Sequence, residues 1–261
     1  EGSSNDHSGH FIFLANRSDS ASDIEGHNSG PSASSNQMSS YYLGHVSYDD
    51  ENSPKASMFM NGDNIGSIPG WSKSNYFDMG SNLLRIGQGY DSSSSPDFLD
   101  GDIAEILIFD SDIDEAKQIS IQNYLAIKWG LTSTVDSDGD GVVDASDFAP
   151  LDSTIQADLT VNWDADYMTD DVEALLKDSS LKLWLDADHT NSIIKDGSNN
   201  VSKWMDLSGN GYVFKPANDS DKPHMVMNAL NNKSVIEFDN QYLESTTNFD
   251  TSGINSNKRL N

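Results

Sequence analysis

The acidic stretch VDSDGDGVVDASDFAPLD, Val135 to Asp152, has a spacing that a solvated linker has no reason to keep. Counted from Asp136, it places Asp136, Asp138 and Asp140 at positions 1, 3 and 5, Gly141 at 6, the Val142 carbonyl at 7, Asp144 at 9 and Asp147 at 12. A hard cation collects about six to eight oxygens, and alternating carboxylates, a tight glycine turn and one carbonyl supply them. Calcium is therefore the expected cofactor. A second, weaker copy follows in NWDADYMTDDVE, where Asn162, Asp164, Asp166, the Met168 carbonyl, Asp170 and Glu173 take positions 1, 3, 5, 7, 9 and 12. Tyr167 stands where the turn wants glycine, which points to a lower affinity at this copy.

The first loop resembles a thrombospondin type 3 or dockerin-like calcium repeat, including the following Pro150 and Asp152. Asp147 replaces the bidentate Glu of true EF-hands. The rest of the composition fits a cation partner. The formal charge of −27 argues against nucleic acid and anionic membranes, since both need clustered Lys and Arg. There is no Cys, so thiolate sites and disulfides are excluded. No stretch reaches the roughly 18 apolar residues of a membrane span. The Ser-, Asn-, Asp- and Gly-rich chain starts at Glu1 without Met, and an extracellular or cell-surface location is expected.

Short segments of period-two hydrophobicity flank the acidic stretch. Before it lie HFIFLAN (10–16), YYLGHVSY (41–48), ASMFMNG (56–62), LLRIGQG (83–89) and IAEILIF (103–109). After it lie LKLWLDA (181–187), VSKWMDL (201–207), YVFK (212–215) and SVIEFD (234–239). Many strands with few helices predict an all-β sandwich or barrel. One helix is expected in DEAKQISIQNYLAIKWG, with Asp114 as N-cap, Ile121, Leu125 and Trp129 on one face, and Gly130 as the stop. Residues 133–178 are acidic and poor in strand pattern, and are expected to be a calcium-binding connector.

The segment FLDGDIAEILIFDSDIDEAKQISIQNYLAIKWGL, Phe98 to Leu131, resembles the closing strand and terminal helix of laminin-G-like, concanavalin A-type jelly rolls found in bacterial surface adhesins. The segment from Leu181 to Ser245 resembles the opening of the same module, with its LWLDA, W-x-D-x-SGNG and FD-x-x-YL marks. The opening thus follows the closing. GHFIFLANRSD, Gly9 to Asp19, is similar to the interior strand that should continue residue 261. The resemblance implies a jelly roll in permuted order, with its C-terminal part in 1–132 and its N-terminal part in 179–261. Together they have the length of one sandwich, roughly 200–250 residues. The complement could come from the same chain, from a neighbouring copy in a head-to-tail filament, or from the next module of a tandem array.

Some glucanases share that fold and carry a carboxylate trio on one strand face. The nearest approach, Glu237, Asp239 and Glu244, has the wrong spacing, and no nucleophile elbow or phosphate loop appears. The histidines His7, His10, His27, His45, His189 and His224 show no metal spacing and are expected mostly at the surface. No catalytic residue is expected. Trp71, Tyr76 and Tyr90 sit in turn-rich surroundings suited to glycans, whereas Trp129, Trp184 and Trp204 coincide with the module's marks and are expected in the core. The expectation is a non-enzymatic, extracellular, calcium-dependent structural or adhesive module, with a carbohydrate-binding lectin as the alternative and a glycoside hydrolase behind both.

Overall fold

The computed structural model describes residues 8–15, 40–49, 56–68, 83–88, 98–111, 113–147, 149–154 and 176–250. Within these residues the protein is predominantly antiparallel β-sheet with a single long helix. The larger sheet runs in the order β11 (His224–Leu230), β12 (Lys233–Asp239), β6 (Asp100–Phe109), β1 (Ser8–Ala15), β2 (Tyr42–Asp49), β3 (Ala56–Met60) and β4 (Asp63–Ile68). An eighth strand, β7 (Leu181–Asp186), pairs with the second half of β6, beyond the reach of β12. The smaller sheet runs β5 (Arg85–Ile86), β13 (Leu243–Ser245), β10 (Val213–Pro216), β9 (Val201–Met205) and β8 (Ile193–Lys195).

Both sheets draw strands from either side of the acidic stretch. In the larger one β6 pairs with β1 along one edge and with β12 and β7 along the other. In the smaller one β5 pairs with β13 through Leu243 opposite Ile86. The strands before and after residues 133–178 therefore pair within one chain. This arrangement is compatible with a jelly-roll sandwich.

Two apolar clusters separate three layers. Between the sheets lie Ile103, Ile108, Leu183, Leu185, Ile236 and Phe238 from the larger sheet and Val201, Trp204, Phe214 and Leu243 from the smaller. On the opposite face of the larger sheet, Ile12, Leu43, Ala104, Leu107 and Val235 meet the helix through Ile121, Leu125, Ala126 and Trp129. That double coverage explains why β6 reads as a nearly continuous apolar run. Its two faces are both buried, so strict alternation is not required.

Helix α1 (Glu115–Trp129) has the expected ends: the Asp114 side chain accepts from the Lys117 amide, and Gly130 closes it in the left-handed region. Several strands had no clear signature. The described part of 83–89 contains only the two-residue β5, while β4, β8, β11 and β13 fall outside the segments whose alternation predicts strands. Among the described residues β4, DNIGSI, is an edge strand paired with β3 alone, and an edge carries little of the burial that writes a hydrophobic pattern. His45 is a correction: it is fully buried in β2 and stacks on Phe59 with ring centroids 5.1 Å apart.

Candidate metal centre

The acidic loop begins with an anchor. Val135 is fully buried in the cluster beneath α1, which fixes the backbone immediately before Asp136. The Asp136 amide donates to the Asn61 carbonyl (2.9 Å), the Asp144 amide to the Val135 carbonyl (2.8 Å) and the Ala145 amide to the Thr132 carbonyl (2.8 Å). The loop is thus fastened to the β3–β4 turn and folded back on the end of the helix.

Within the loop, Asp136 accepts from the Gly139 amide on Oδ1 and the Gly141 amide on Oδ2, both at 2.8 Å. Asp138 Oδ1 accepts from the Asp140 amide (3.2 Å), and Asp140 Oδ1 from the Val142 amide (2.8 Å). These contacts wrap the chain so that one carboxylate oxygen from each of Asp136, Asp138 and Asp140 lies within 4.8 Å of the others. Gly141, at φ +97°, makes the tight turn that the spacing required. The cluster can hold a metal ion.

The electrostatics favour a cation there. Burial, together with the charges of Asp140, Asp147 and Asp136, pushes the Asp138 carboxyl up to about 6. Among the described residues no donor reaches the buried Asp138 Oδ2, and Asp147 is almost wholly buried beside it. Desolvated carboxylates that repel one another favour a divalent ion between them. An all-oxygen donor set is that of a hard cation.

Asp144, at position 9, is engaged on both carboxylate oxygens by the chain itself. Its Oδ1 accepts from the Ser137 amide (2.8 Å), and its Oδ2 from the Ser137 hydroxyl (2.8 Å) and Asn123 Nδ2 (3.0 Å). Its carboxyl is pushed up to about 6, chiefly by burial and also by the charge of Asp136, against the pull of these donors. Asp144 therefore braces the loop against α1. Val142 lies in the turn of the cluster, with its amide on Asp140. The second loop's Asn162, Asp164, Asp166, Met168, Asp170 and Glu173, and the candidate glycan platform of Trp71, Tyr76 and Tyr90, lie outside the described residues.

The carboxylates weighed for hydrolysis are not brought together as a trio. Glu237 and Asp239 are exposed on β12 of the larger sheet, whereas Glu244 lies on β13 of the smaller, with one oxygen 2.5 Å from Arg85 Nε.

A second polar centre has no spacing signature in the sequence. Glu105, fully buried in β6, accepts on Oε1 from Trp184 Nε1 (2.8 Å) and on Oε2 from Trp129 Nε1 (2.7 Å) and Lys128 Nζ (2.7 Å). Lys128 also reaches Asp186 Oδ2 at 2.8 Å. Trp129 and Trp204 are core residues as expected, but Trp184 is only partly buried and contributes its N–H to this centre. Burial drives Glu105 upward, while Lys128 and the Trp129 indole N–H favour its ionised form. Three N–H groups aimed at one carboxylate fit the ion pair. The only sequence signal was a lone Glu inside the apolar run IAEILIF.

No family model, curated protein or solved structure matches this chain. Among the described residues, no helix is long and apolar enough to cross a membrane.

Proposed function

We propose that this protein is a non-enzymatic, calcium-dependent structural module of an extracellular bacterial surface protein, built as a laminin-G-like jelly roll in permuted order. The observation that carries this reading is the position of the Asp136–Asp138–Asp140 cluster. It lies on the excursion that links the end of α1 to β7, and these two elements flank one strand, β6, as parts of one body. A calcium ion at that place would stiffen the passage between the two halves of the sandwich.

The charge of the chain, the all-oxygen ligand set and the motif marks from Trp184 to Leu243 support the reading together. Intrachain pairing of β6 with both β7 and β12 favours closure within the chain over head-to-tail complementation. Adhesive contacts would then use the outer surface rather than an open sheet edge.

Limited proteolysis with mass measurement, in calcium and in EGTA, tests it. The expected result is a monomer whose residues 133–178 are protected by calcium and cut after chelation. Equal cleavage in both buffers would refute the stiffening role, and a polymer that calcium does not alter would refute closure within the chain.

A further inference from the structure

The contact between the acidic loop and the β3–β4 turn goes beyond packing. Asn61 and Gly62 form the two-residue turn of that hairpin, with φ of 52° and 95°. Asn61 is pinned to the neighbouring strand on both sides: its amide donates to the Leu43 carbonyl (2.8 Å), and its Oδ1 accepts from the Leu43 amide (2.9 Å). The Asn61 carbonyl then takes the Asp136 amide. Gly62 lies so close that a methyl group built on it would stand 1.5 Å from the Asp136 carbonyl oxygen and 2.6 Å from its carbon.

Asp136 is the loop's first carboxylate, and its two oxygens orient the Gly139 and Gly141 amides around which Asp138 and Asp140 are wrapped. Its backbone is clamped between buried Val135 on one side and the hairpin tip on the other. We infer that the Asn61–Gly62 tip is the seat of the cation loop, a pair of positioning residues that set its calcium affinity from 74 residues away without supplying a ligand. This rests on the calcium reading above. Linkage makes the effect reciprocal: if the seat favours the ion, the ion must steady the seat.

The test is calorimetric titration of the full chain with calcium chloride, comparing wild type with Gly62→Ala and Gly62→Asn. Asn tolerates a positive φ and so keeps the turn, but its Cβ meets Asp136 as that of Ala does. The expected result is binding by wild type and affinity weakened about tenfold or more in both variants, a free-energy loss of about 1.4 kcal/mol or more. Both variants binding as wild type does, even with a lower metal-free melting temperature, would overturn the seat and leave the calcium reading intact. No binding by wild type would instead overturn the calcium reading and the seat with it. If the variants do not fold, hydrogen exchange of the wild-type Leu43 and Asp136 amides decides the matter. Slower exchange at both in calcium supports the seat; unchanged exchange in a calcium-binding wild type refutes it.

Discussion

Replacing Lys128 by Met would remove the only cation from the Glu105 centre's three charged groups while keeping a side chain of similar length. Lys128 Nζ lies 2.7 Å from Glu105 Oε2 and 2.8 Å from Asp186 Oδ2, and it stands over the Tyr124 and Trp129 rings at 5.5 and 5.2 Å. Glu105 is wholly buried and Asp186 nearly so, so two carboxylates would face each other out of water. Removing one partner of a buried pair costs about 3–5 kcal/mol. Because Trp129 and Trp184 still donate to Glu105, the expected loss is at the lower end, about 3 kcal/mol. At about 2–4 °C per kcal/mol for a chain of this size, the melting temperature should fall by roughly 6–12 °C. Urea and thermal unfolding followed by tryptophan fluorescence, in EGTA, measure both quantities, and two of the reporting indoles belong to the centre itself. Adding Glu105→Gln should recover part of the loss, since an amide still accepts from an indole and no longer buries a charge. A loss under about 1 kcal/mol is the range of an exposed pair and would refute a buried, structure-bearing role for Lys128.

The same centre sets an alkaline limit. Burial, with the Glu105 charge beside it, pushes the Tyr124 phenol up to about 12, and although burial opposes the Lys128 charge, Glu105 and Asp186 hold it above the ordinary lysine value. Both groups keep their protons more tightly in the folded protein, so their stabilisation is complete below about pH 10 and is lost as pH rises above it. Denaturation between pH 8 and 12 should show a steeper decline for wild type than for Lys128→Met; parallel curves would refute the cause given. At the metal loop, Asn123→Ala removes a donor from buried Asp144 and should cost about 1.5–3 kcal/mol in metal-free urea unfolding. Because it leaves every loop carboxylate in place, it should reduce calcium affinity less than Asp138→Asn does, and the reverse order in calorimetric titration would refute a ligand role for Asp138.

The legible parts of the sequence were those whose cause is local. The acidic loop could be read because the contacts that wrap its carboxylates join residues close in sequence, such as Asp136 to Gly139 and Gly141. Helix α1 could be read because Asp114 and Gly130 cap it within the helix itself. The mark W-x-D-x-SGNG also has a local reason. Asp206 accepts from the Ser208 and Gly211 amides to hold the turn, and from the Trp184 amide to fasten it to β7. What could not be read was joined across the fold. Glu105 meets Trp184 from 79 residues away, and Asn61 meets Asp136 through a hairpin contact that no spacing rule contains. The short strands β5, β8 and β13 owe their existence to their sheet partners rather than to a pattern of their own.

These long-range contacts bear on what calcium would do. The contacts that join the two strand sets lie outside the acidic loop: β6 carries β1 on one side and β7 and β12 on the other, and Glu105 ties α1 to β7. Closing a flexible loop costs only about 0.6 kcal/mol more for each doubling of its length, so a connector that merely spanned the gap would gain little from being ordered. Yet its first turn is ordered, with Val135, Asp136, Ser137, Asp144 and Asp147 all buried. Burying those carboxylates costs stability when no cation accompanies them, as the raised Asp138 and Asp144 carboxyls reflect. A cation held by the Asp136–Asp138–Asp140 cluster would offset that cost. In the proposed role, calcium converts the tether into a brace between the end of α1 and the β3–β4 tip, so that a load on the connector passes into the larger sheet rather than into a slack chain.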